Sequence, residues 1–420
     1  MKLTILATPN QVTDPNYTAL TEQNIKDLGK FSGSMASICY LNSNYFEPKY
    51  TDDEKALSRF ERVAATGHHS ISDHAFVTVL FENIPKMTAM ILNSVGFYNT
   101  SEKSGRYTVM NGDEETHKKY FKNYELYEKW KGIFNDAIAT YAEKWNIPID
   151  DKLREKLTLE NARYVLSVFA PTTTMAYTTS LRMWSYIRQW CKSYIDVWDD
   201  NGASLDLKRT SFNNKILECI KELYTTLTDA HLYSDCIVEQ KGWNFRFLAK
   251  QTCYDIDKTT EHFDDIYLIK YKSSFADLAQ QQRHRTLHYY MCYEGNNNTK
   301  FYIPRILQYS EPTMQEWIDD LNSVSETYPI ATMVDVVETG DICDFMCKCD
   351  ERLCGRVQLE TMETIINNLY RFARHWDKSP YMIGQLNRHI KEGNVLMKCN
   401  RVHCNEPCIW GPIKAQTRLV

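Results

Sequence analysis

The spacing of apolar and polar residues along the chain predicts a helix-rich protein with a few short strands. Apolar residues recur every three or four positions from Tyr120 to Trp145 and from Lys208 to Leu227, which is typical of amphipathic helices. Leu181–Trp198 has aromatic residues on more than one face and predicts a buried helix. Short runs rich in β-branched and aromatic residues predict strands at Phe76–Phe81, Tyr267–Tyr271 and Ile330–Val337. The predicted fold class is mixed α/β (α+β), rich in helix.

Composition and charge narrow the class of protein. The 420 residues include 49 Lys and Arg against 54 Asp and Glu, a net charge of −5, and 43% of them are hydrophobic. No apolar run approaches the ~18 residues that a membrane-spanning helix needs. The first residues lack the long apolar stretch of a secretory signal. We therefore expect a cytoplasmic protein without a membrane partner, and the acidic balance argues against direct nucleic-acid binding.

Two parts of the chain show the same order of predicted elements. Asp73-His74 precedes a strand and the helical run Pro85–Ile91, and Glu261-His262 precedes a strand and the helical run Phe275–Gln282. Such self-similarity predicts an internal duplication. The expected division is a first repeat at 1–205, a connecting helical segment at 206–250, a second repeat at 251–370 and a Cys-rich C-terminal extension at 371–420.

Three polar motifs are candidates for binding chemistry. Arg283-His284-Arg285 offers two permanent charges and a titratable ring, which suit a phosphate or an electron-rich heterocycle, although a solvated basic turn is an equal alternative. The run from Glu102 to Tyr107 can wrap a phosphate ester or sugar hydroxyls, and by itself it also fits an exposed polar loop. Gly67–His74 contains paired histidines, which are more often hydrogen-bonded structural groups than metal ligands.

Together the three motifs resemble the flavin-dependent thymidylate synthases. That family has an Arg-His-Arg core followed by Glu-x-Ser-x-Arg-Tyr, preceded by Gly-His-x-Ser-x-x-Glu-His and followed by Ala-Arg-x-Val-Leu-Pro. The first half of this chain is similar at Gly67–His74, Glu102–Tyr107 and Ala162–Leu166, but has Ser94-Val95-Gly96 where Arg-His-Arg is expected. The second half has Arg283-His284-Arg285 without the Glu-x-Ser-x-Arg that follows it in the family. Family spacing then places a late arginine at Arg352 and a Gln-x-Glu at Gln358-Leu359-Glu360.

The resemblance implies that each half keeps the part of the site that the other has lost. The residues implied for nucleotide binding are Glu102, Ser104, Arg106 and Arg163 from the first repeat and Gln280, Arg283 and Arg352 from the second. The residues implied for FAD binding are His68, Arg283, His284 and Arg285. The residues implied for catalysis are Ser104, Arg283 and Arg352. We therefore predict two repeats packed as a pseudo-dimer around one composite site.

The function implied by the resemblance is FAD-dependent transfer of a one-carbon unit from methylenetetrahydrofolate to C5 of a deoxypyrimidine monophosphate. The default is dUMP to dTMP with NADPH as a candidate reductant, in a homodimer that supplies four repeats. The family's serine and glutamate are missing after Arg285, with Glu294 as a substitute, and the late helix has Asp341, Cys343 and Cys347. These departures leave two alternatives open. One is a C5-hydroxymethylase acting on dUMP or dCMP, as in a phage or other virus with modified DNA, and the other is an inactive nucleotide-binding partner subunit.

The chain has 13 cysteines, and some of them are candidate metal ligands. Without a secretory signal they are better interpreted as reduced thiols or metal ligands than as disulfides. Cys399, Cys404 and Cys408 are closely spaced, and Cys354, Cys349 or His403 could complete a tetrahedral site. Buried reduced thiols are one interpretation of these residues, and a structural zinc with Cys354 as the tentative fourth ligand is the other.

Overall fold

The structure is a computed structural model. It describes residues 1–8, 11–12, 17–40, 53–199, 210–237, 248, 260–293, 300–375, 380–402, 404 and 408–420. The strands are β1 (Lys2–Thr8), β2 (Gln11–Val12), β3 (Phe76–Pro85), β4 (Tyr98–Glu102), β5 (Pro171–Ser180), β6 (Ile266–Ser274), β7 (His288–Cys292), β8 (Met333–Asp341), β9 (Ile390–Lys391) and β10 (Asn394–Val395). The helices are α1 (Glu22–Ala36), α2 (Asp53–Ala65), α3 (Lys86–Leu92), α4 (Glu114–Lys119), α5 (Phe121–Lys144), α6 (Asp151–Ala162), α7 (Leu181–Asp199), α8 (Ser211–Asp229), α9 (Phe275–Gln281), α10 (Glu311–Ser323), α11 (Ile342–Arg352), α12 (Leu359–Ala373), α13 (Pro380–Asn387), α14 (Lys398–Arg401) and α15 (Gly411–Thr417).

Chain contacts divide these elements into two units. The first unit is Met1–Lys103 with Pro171–Phe245, and the second is Ser104–Ala170 with Arg246–Val420. The segment from Ser104 to Ala170, which we expected in the first repeat, is thus part of the same unit as the predicted second repeat. Chain order and spatial grouping therefore differ at this segment.

The first unit is built on an antiparallel sheet with strand order β2-β1-β3-β5-β4. Side chains along β3 alternate between buried and more accessible positions at its start, as expected of a strand with one face on the core. The helix α7 follows β5 directly, and its fully buried Trp184 donates a hydrogen bond from Nε1 to the Val77 carbonyl at 3.3 Å. The aromatic-rich run that predicted a buried helix is therefore packed against the sheet.

The second unit contains a three-stranded antiparallel sheet with strand order β6-β8-β7. The segment Ser104–Ala170 is joined to it through main-chain hydrogen bonds, from Ile330 N to the Leu166 oxygen at 2.7 Å and from Ala331 N to the Tyr164 oxygen at 2.9 Å. Aromatic packing adds to this connection, because Trp130 of α5 meets Trp317 of α10 edge to face with ring centroids 4.6 Å apart.

Three strands of the first sheet have the same connections as the three strands of the second. In each, a strand leads into a short helix and then a short strand, and a later central strand leads into a longer helix: β3-α3-β4 with β5-α7, and β6-α9-β7 with β8-α11. The central strand lies between the other two in both cases, as β3-β5-β4 and β6-β8-β7. The predicted duplication and the packing of the repeats as a pseudo-dimer both stay predictions.

The fold class predicted from the sequence is confirmed, since helices predominate over the short sheets. The predicted helices correspond to α5, α7 and α8, and the predicted strands to β3, β6 and β8. The strand predicted from Ile330 begins at Met333, because the backbone amides of residues 330 and 331 bond to the segment before β5. Lys208 lies outside the described residues. None of the described helices is long and apolar enough to cross a membrane.

Candidate functional site

The Arg-His-Arg segment lies immediately after α9, in a tight turn between this helix and β7. The Arg283 amide donates to the Gln280 carbonyl at 3.2 Å and the His284 amide to the Gln281 carbonyl at 3.0 Å. Ser274 caps the start of α9 by accepting from the Asp277 amide. The turn holds His284 in the interior, at 8% exposure, and leaves Arg285 exposed.

His284 is bonded directly to the late arginine that family spacing predicted. Arg352, the last residue of α11, donates from Nε to His284 Nε2 at 2.8 Å. Burial, followed by the charges of Arg352 and Lys348, lowers the pKa of His284 to about 2. The ring is therefore neutral at physiological pH, and its Nε2 acts as an acceptor. The approach of Glu351 to 3.8 Å is consequently not an ion pair.

Arg106 enters the same unit from the other predicted motif. Its Nε bonds Oε2 of the buried Glu160 at 2.6 Å, and its Nη2 donates to the Arg356 carbonyl at 2.6 Å. The Ser104 hydroxyl accepts from the Arg106 amide at 3.4 Å. The segment is closely packed at Gly105, where a Cβ would lie 3.1 Å from the Met110 side chain and 3.2 Å from the Arg163 side chain. The Glu-x-Ser-x-Arg motif is therefore a packed segment and not a free loop.

Arg163 connects this segment to the predicted Gln-x-Glu. The arginine is buried at 8% exposure, and its Nη2 donates to the Gln358 side chain. Gln358 in turn donates to the Tyr164 hydroxyl, which donates to Oε2 of Glu360. The Ser274 amide and hydroxyl also donate to Glu360, at 3.1 and 2.7 Å. One hydrogen-bonded chain therefore links residues almost 200 positions apart.

The charges of these arginines are close enough to perturb one another. Burial lowers the pKa of Arg352, and the charges of Arg283 and Arg106 lower it further. Burial also lowers the pKa of Arg163, and Arg106 adds to the effect. We call these four residues the arginine cluster: Arg106, Arg163, Arg283 and Arg352. Within the described part of the chain, Arg163 Nε and Arg283 Nη1 are buried atoms without a hydrogen-bond partner.

Two buried carboxyls near the arginine cluster differ in ionisation. Burial opposes the ionisation of Glu160, but Arg106 and Arg163 keep its pKa below the usual value, so it is charged. Burial and the nearby Asp277 raise the pKa of Glu360 to about 8, so it is mostly protonated at neutral pH. Positive charge therefore exceeds negative charge within this group, which suits an anionic ligand such as a phosphate ester.

Other predicted site residues are not part of the arginine cluster. Glu102 and His68 are in the first unit, where Glu102 forms an ion pair with Lys86 and His68 is exposed. The neighbouring His69 is buried and bonded through Nδ1 to the Tyr186 hydroxyl at 2.6 Å, which matches the structural alternative for the paired histidines. Gln280 is on α9 and half-buried. Glu294 lies outside the described residues.

The departures from the family in the late helix have local structural explanations. Asp341 caps α11 by accepting from the Cys343 amide at 2.7 Å. Cys343 contacts the Tyr381 hydroxyl, and Cys347 is exposed. Asp341 therefore caps the start of the helix that ends at Arg352, and the two cysteines lie within this helix.

Sequence reasoning missed several charged residues around the arginine cluster. Glu160 neutralises Arg106, Arg418 is buried close to both, and Lys348 bonds Glu338 in the interior. Lys348 could have been predicted from the sequence, because it lies four residues before Arg352 and residues at this spacing share one face of a helix. No local pattern marks Glu160 or Arg418.

The predicted zinc ligands are free thiols brought near one another. Cys354, Cys399, Cys404 and Cys408 are all unpaired as disulfides. Burial raises the pKa of Cys399, and the neighbouring thiols of Cys408, Cys354 and Cys404 add to the shift. Among the residues described, however, no group of three or more His, Cys, Asp or Glu side chains is arranged to hold a metal ion. His403 is outside the described residues, and zinc stays a prediction.

Comparison with known proteins finds a family match in the first half of the chain. Residues 24–193 match the family model of the thymidylate synthase complementing protein. The flavin-dependent thymidylate synthase of Pyrococcus abyssi is 32% identical over 126 residues, which are 29% of this chain and 48% of that protein. The enzyme of the same name from Pyrococcus furiosus is 31% identical over 122 residues, 27% of this chain and 45% of that protein. The chain thus spans about half the length of the curated relatives it matches.

Solved structures give a weaker likeness. A thymidylate synthase X from Helicobacter pylori, crystallised with FAD and dUMP, aligns with 57% of this chain and 100% of its own, at 14% identity and a TM-score of 0.30. A second structure of that protein with the same two compounds aligns at 13% identity and a TM-score of 0.31.

Proposed function

We propose that this chain, a relative of the flavin-dependent thymidylate synthases through residues 24–193, binds a deoxypyrimidine monophosphate at the arginine cluster and methylates it at C5. The observation that carries the proposal is the convergence of the four arginines within one unit. Arg106 and Arg163 come from the motifs of the first half, and Arg283 and Arg352 from those of the second. A nucleotide monophosphate carries close to two negative charges, and several guanidinium groups are the side chains that best match it.

The arginines have different roles in this proposal. Arg283 has a buried Nη1 without a partner among the described residues, so it is the first candidate for the phosphate, with Arg106 and the Ser104 hydroxyl beside it. Arg352 is held at Nε by neutral His284, which fixes the plane of its guanidinium. A guanidinium held in one plane can pair with the edge of a uracil or cytosine ring. We propose that Arg352 recognises the base and that Gln280 completes the nucleotide site.

FAD is the cofactor that belongs with this function, and Arg283, His284 and Arg285 of the second unit are the residues proposed to hold it. Permanently charged arginines beside a buried histidine fit a pyrophosphate or an electron-rich ring. When bound, FAD would supply the hydride that completes transfer of the one-carbon unit from methylenetetrahydrofolate, with NADPH as its reductant. The side chains of the protein bind and orient the nucleotide and the cofactor. At neutral pH the lowered pKa of His284 prevents it from donating a proton from Nε2.

The test uses arginine variants that separate binding from folding. Arg283→Ala removes a charge whose Nη1 lacks a partner in the described structure, so stability should change little. Affinity for dUMP should fall about 10- to 150-fold, as expected for the loss of a charge-assisted contact of about 1.5–3 kcal/mol. Isothermal titration calorimetry with dUMP measures the affinity. Arg154→Ala, which breaks an exposed pair with Asp151, is the control and should bind normally.

Arg106 needs a different design because it neutralises a buried carboxylate. Replacing it alone would leave Glu160 unpaired and destabilise the fold. The double variant Arg106→Gln with Glu160→Gln removes both charges and should also lose dUMP affinity. If only one of the Arg283 and Arg106 variants loses affinity, the composite site is wrong. If neither does, the nucleotide is bound elsewhere or not at all.

Two observations separate the proposal from its alternatives. Purified protein that is colourless and fails to take up added FAD would favour the inactive nucleotide-binding partner. The mass of the product formed from dUMP, methylenetetrahydrofolate and NADPH distinguishes a methyl from a hydroxymethyl group, and the same assay with dCMP tests the second substrate. The homodimer, the cytoplasmic location and a viral source stay predictions. Zinc on the four C-terminal thiols is a separate prediction, which metal analysis of the purified chain checks.

A further inference from the structure

A fully buried ion pair lies in the unit that contains the arginine cluster. Lys348 of α11 donates from Nζ to Oε2 of Glu338 on β8 at 2.7 Å, and both side chains are 0% exposed. Neither residue belongs to the motifs shared with the thymidylate synthases. The pair therefore needs an explanation of its own.

The pair is built into the sheet from several sides. Glu338 also accepts from the hydroxyls of Tyr267 and Tyr271 on β6, each at 2.7 Å. The Lys348 ammonium lies over the ring of Tyr289 on β7, 5.2 Å from its centroid. Glu338 is opposite Tyr289 in the strand register, so one carboxylate and one ammonium connect all three strands to α11.

Stability alone does not account for this arrangement. Removing two charges from water is costly, and apolar residues of similar volume at such a pair often give an equally stable or a more stable protein. What a buried pair provides in addition is a single preferred geometry. The apolar face of α11 includes Ile342, Phe345 and Met346, and apolar contacts are non-directional. A hydrogen-bonded ion pair is directional and therefore favours one rotation of the helix.

The rotation of α11 matters because of what the helix carries one turn later. Lys348 and Arg352 are four residues apart, and residues at this spacing point to the same face of a helix. Arg352 bonds His284, and Lys348 is one of the charges that act on the same ring. The ion pair, the late arginine and the histidine are therefore consecutive contacts along one helix face.

We propose that the Lys348–Glu338 pair is a positioning element, which sets the rotation of α11 against the sheet and thereby holds the Arg352 guanidinium against His284 and toward the nucleotide. The identity of the ligand rests on the proposed function. The contact between Arg352 and His284 does not, so the positioning can be tested separately.

The variant that tests this is the double substitution Glu338→Gln with Lys348→Met. Glutamine keeps an acceptor oxygen for one tyrosine hydroxyl and offers an amide N–H from which the other hydroxyl can accept. Methionine keeps most of the lysine volume, so the protein should fold with a urea midpoint close to that of wild type. Affinity for dUMP should fall about 10- to 100-fold, as when a binding group is displaced by about 1 Å. The ¹⁵N resonance of the unprotonated His284 Nε2 should shift, since its hydrogen bond from Arg352 is weakened.

A matched control is Cys349→Ala, at the buried neighbour of Lys348 on the same helix. It removes a buried side chain and lowers stability while leaving both charges of the ion pair in place, so dUMP affinity and the His284 resonance should stay as in wild type. A double variant that folds and binds like wild type overturns the proposal, as does a control that loses affinity equally. If wild type does not bind dUMP, the proposed function fails, and an unchanged His284 resonance in the double variant still decides against the positioning role.

Discussion

Glu360 shows how a single buried side chain can join distant segments. It accepts hydrogen bonds from Tyr164 and from the Ser274 amide and hydroxyl, and its pKa is raised to about 8 by burial and by Asp277. In the unfolded chain the carboxyl ionises near its ordinary value of 4.5. The folded state therefore holds a proton that the unfolded state has lost throughout the interval between these two values.

Glu360→Gln should make the stability of the protein less dependent on pH. In wild type the unfolded state binds fewer protons, so the free energy of unfolding decreases as pH rises from about 4.5 to about 8, by up to ~1.4 kcal/mol per pH unit from this group. Glutamine cannot ionise and removes that slope. Urea unfolding at several pH values within this interval measures it. The exposed Glu311→Gln is the control and should keep the wild-type slope, and a wild-type slope in the Glu360 variant would contradict the assignment.

At the scale of elements, the packing of α1 on α2 depends on glycine. A Cβ built at Gly33 would lie 1.9 Å from the carbonyl oxygen of Ala56, so the two backbones are in direct contact. Arg59 of α2 reinforces the contact by donating to the Gly33 carbonyl at 2.8 Å. Glycine has a low helix propensity, but it occurs at this position of α1 because only glycine lets the two backbones come this close.

Gly33→Ala should therefore destabilise the protein although alanine is the better helix former. Moving the backbones apart should cost about 1–3 kcal/mol or more, against the ~1 kcal/mol that the gain in helix propensity returns. Gly132→Ala in α5 is the matched control, because a Cβ there meets nothing within 4 Å and should stabilise. Urea denaturation compares the two. A Gly33 variant as stable as wild type would show that the helices separate at no cost.

The same scale shows which elements a local pattern can predict. The helices α5, α7 and α8 follow from apolar spacing because helix periodicity repeats within each turn. The start of β8 does not, since Ile330 and Ala331 use their amides to bond a segment more than 160 residues earlier. The local pattern of apolar and polar side chains does not predict such distant backbone hydrogen bonds.

For the whole molecule, the last residues of the chain support the turn between α11 and α12. The buried Arg418 donates to the carbonyls of Gly355 and Val357. Arg305 holds the tail by donating to the Gln416 and Arg418 carbonyls at 2.9 and 3.0 Å. The supported turn contains Arg356, whose carbonyl accepts from Arg106.

Arg418→Met should weaken both stability and nucleotide binding. Two buried carbonyls would lose their donors, at a cost of about 1–3 kcal/mol each. The looser turn should also hold Arg106 less firmly, so dUMP affinity should decrease. Urea unfolding and calorimetry measure the two effects, with Lys414→Ala on the exposed part of the tail as the control. Equal behaviour of the two variants would mean that the tail is not a support.

The sequence by itself determined the helix-rich α/β class, because periodicity is a local property, and its resemblance to a known family pointed to the four arginines of the candidate site. It also indicated that the two halves keep complementary motifs. Tertiary structure decided that Ser104–Ala170 joins the second half in one unit, and that Glu102 and His68 belong to the other. It also supplied Glu160, the Lys348–Glu338 pair and Arg418. A buried charge must find a partner wherever the fold brings one, and that choice depends on proximity in space, which spacing along the chain does not encode.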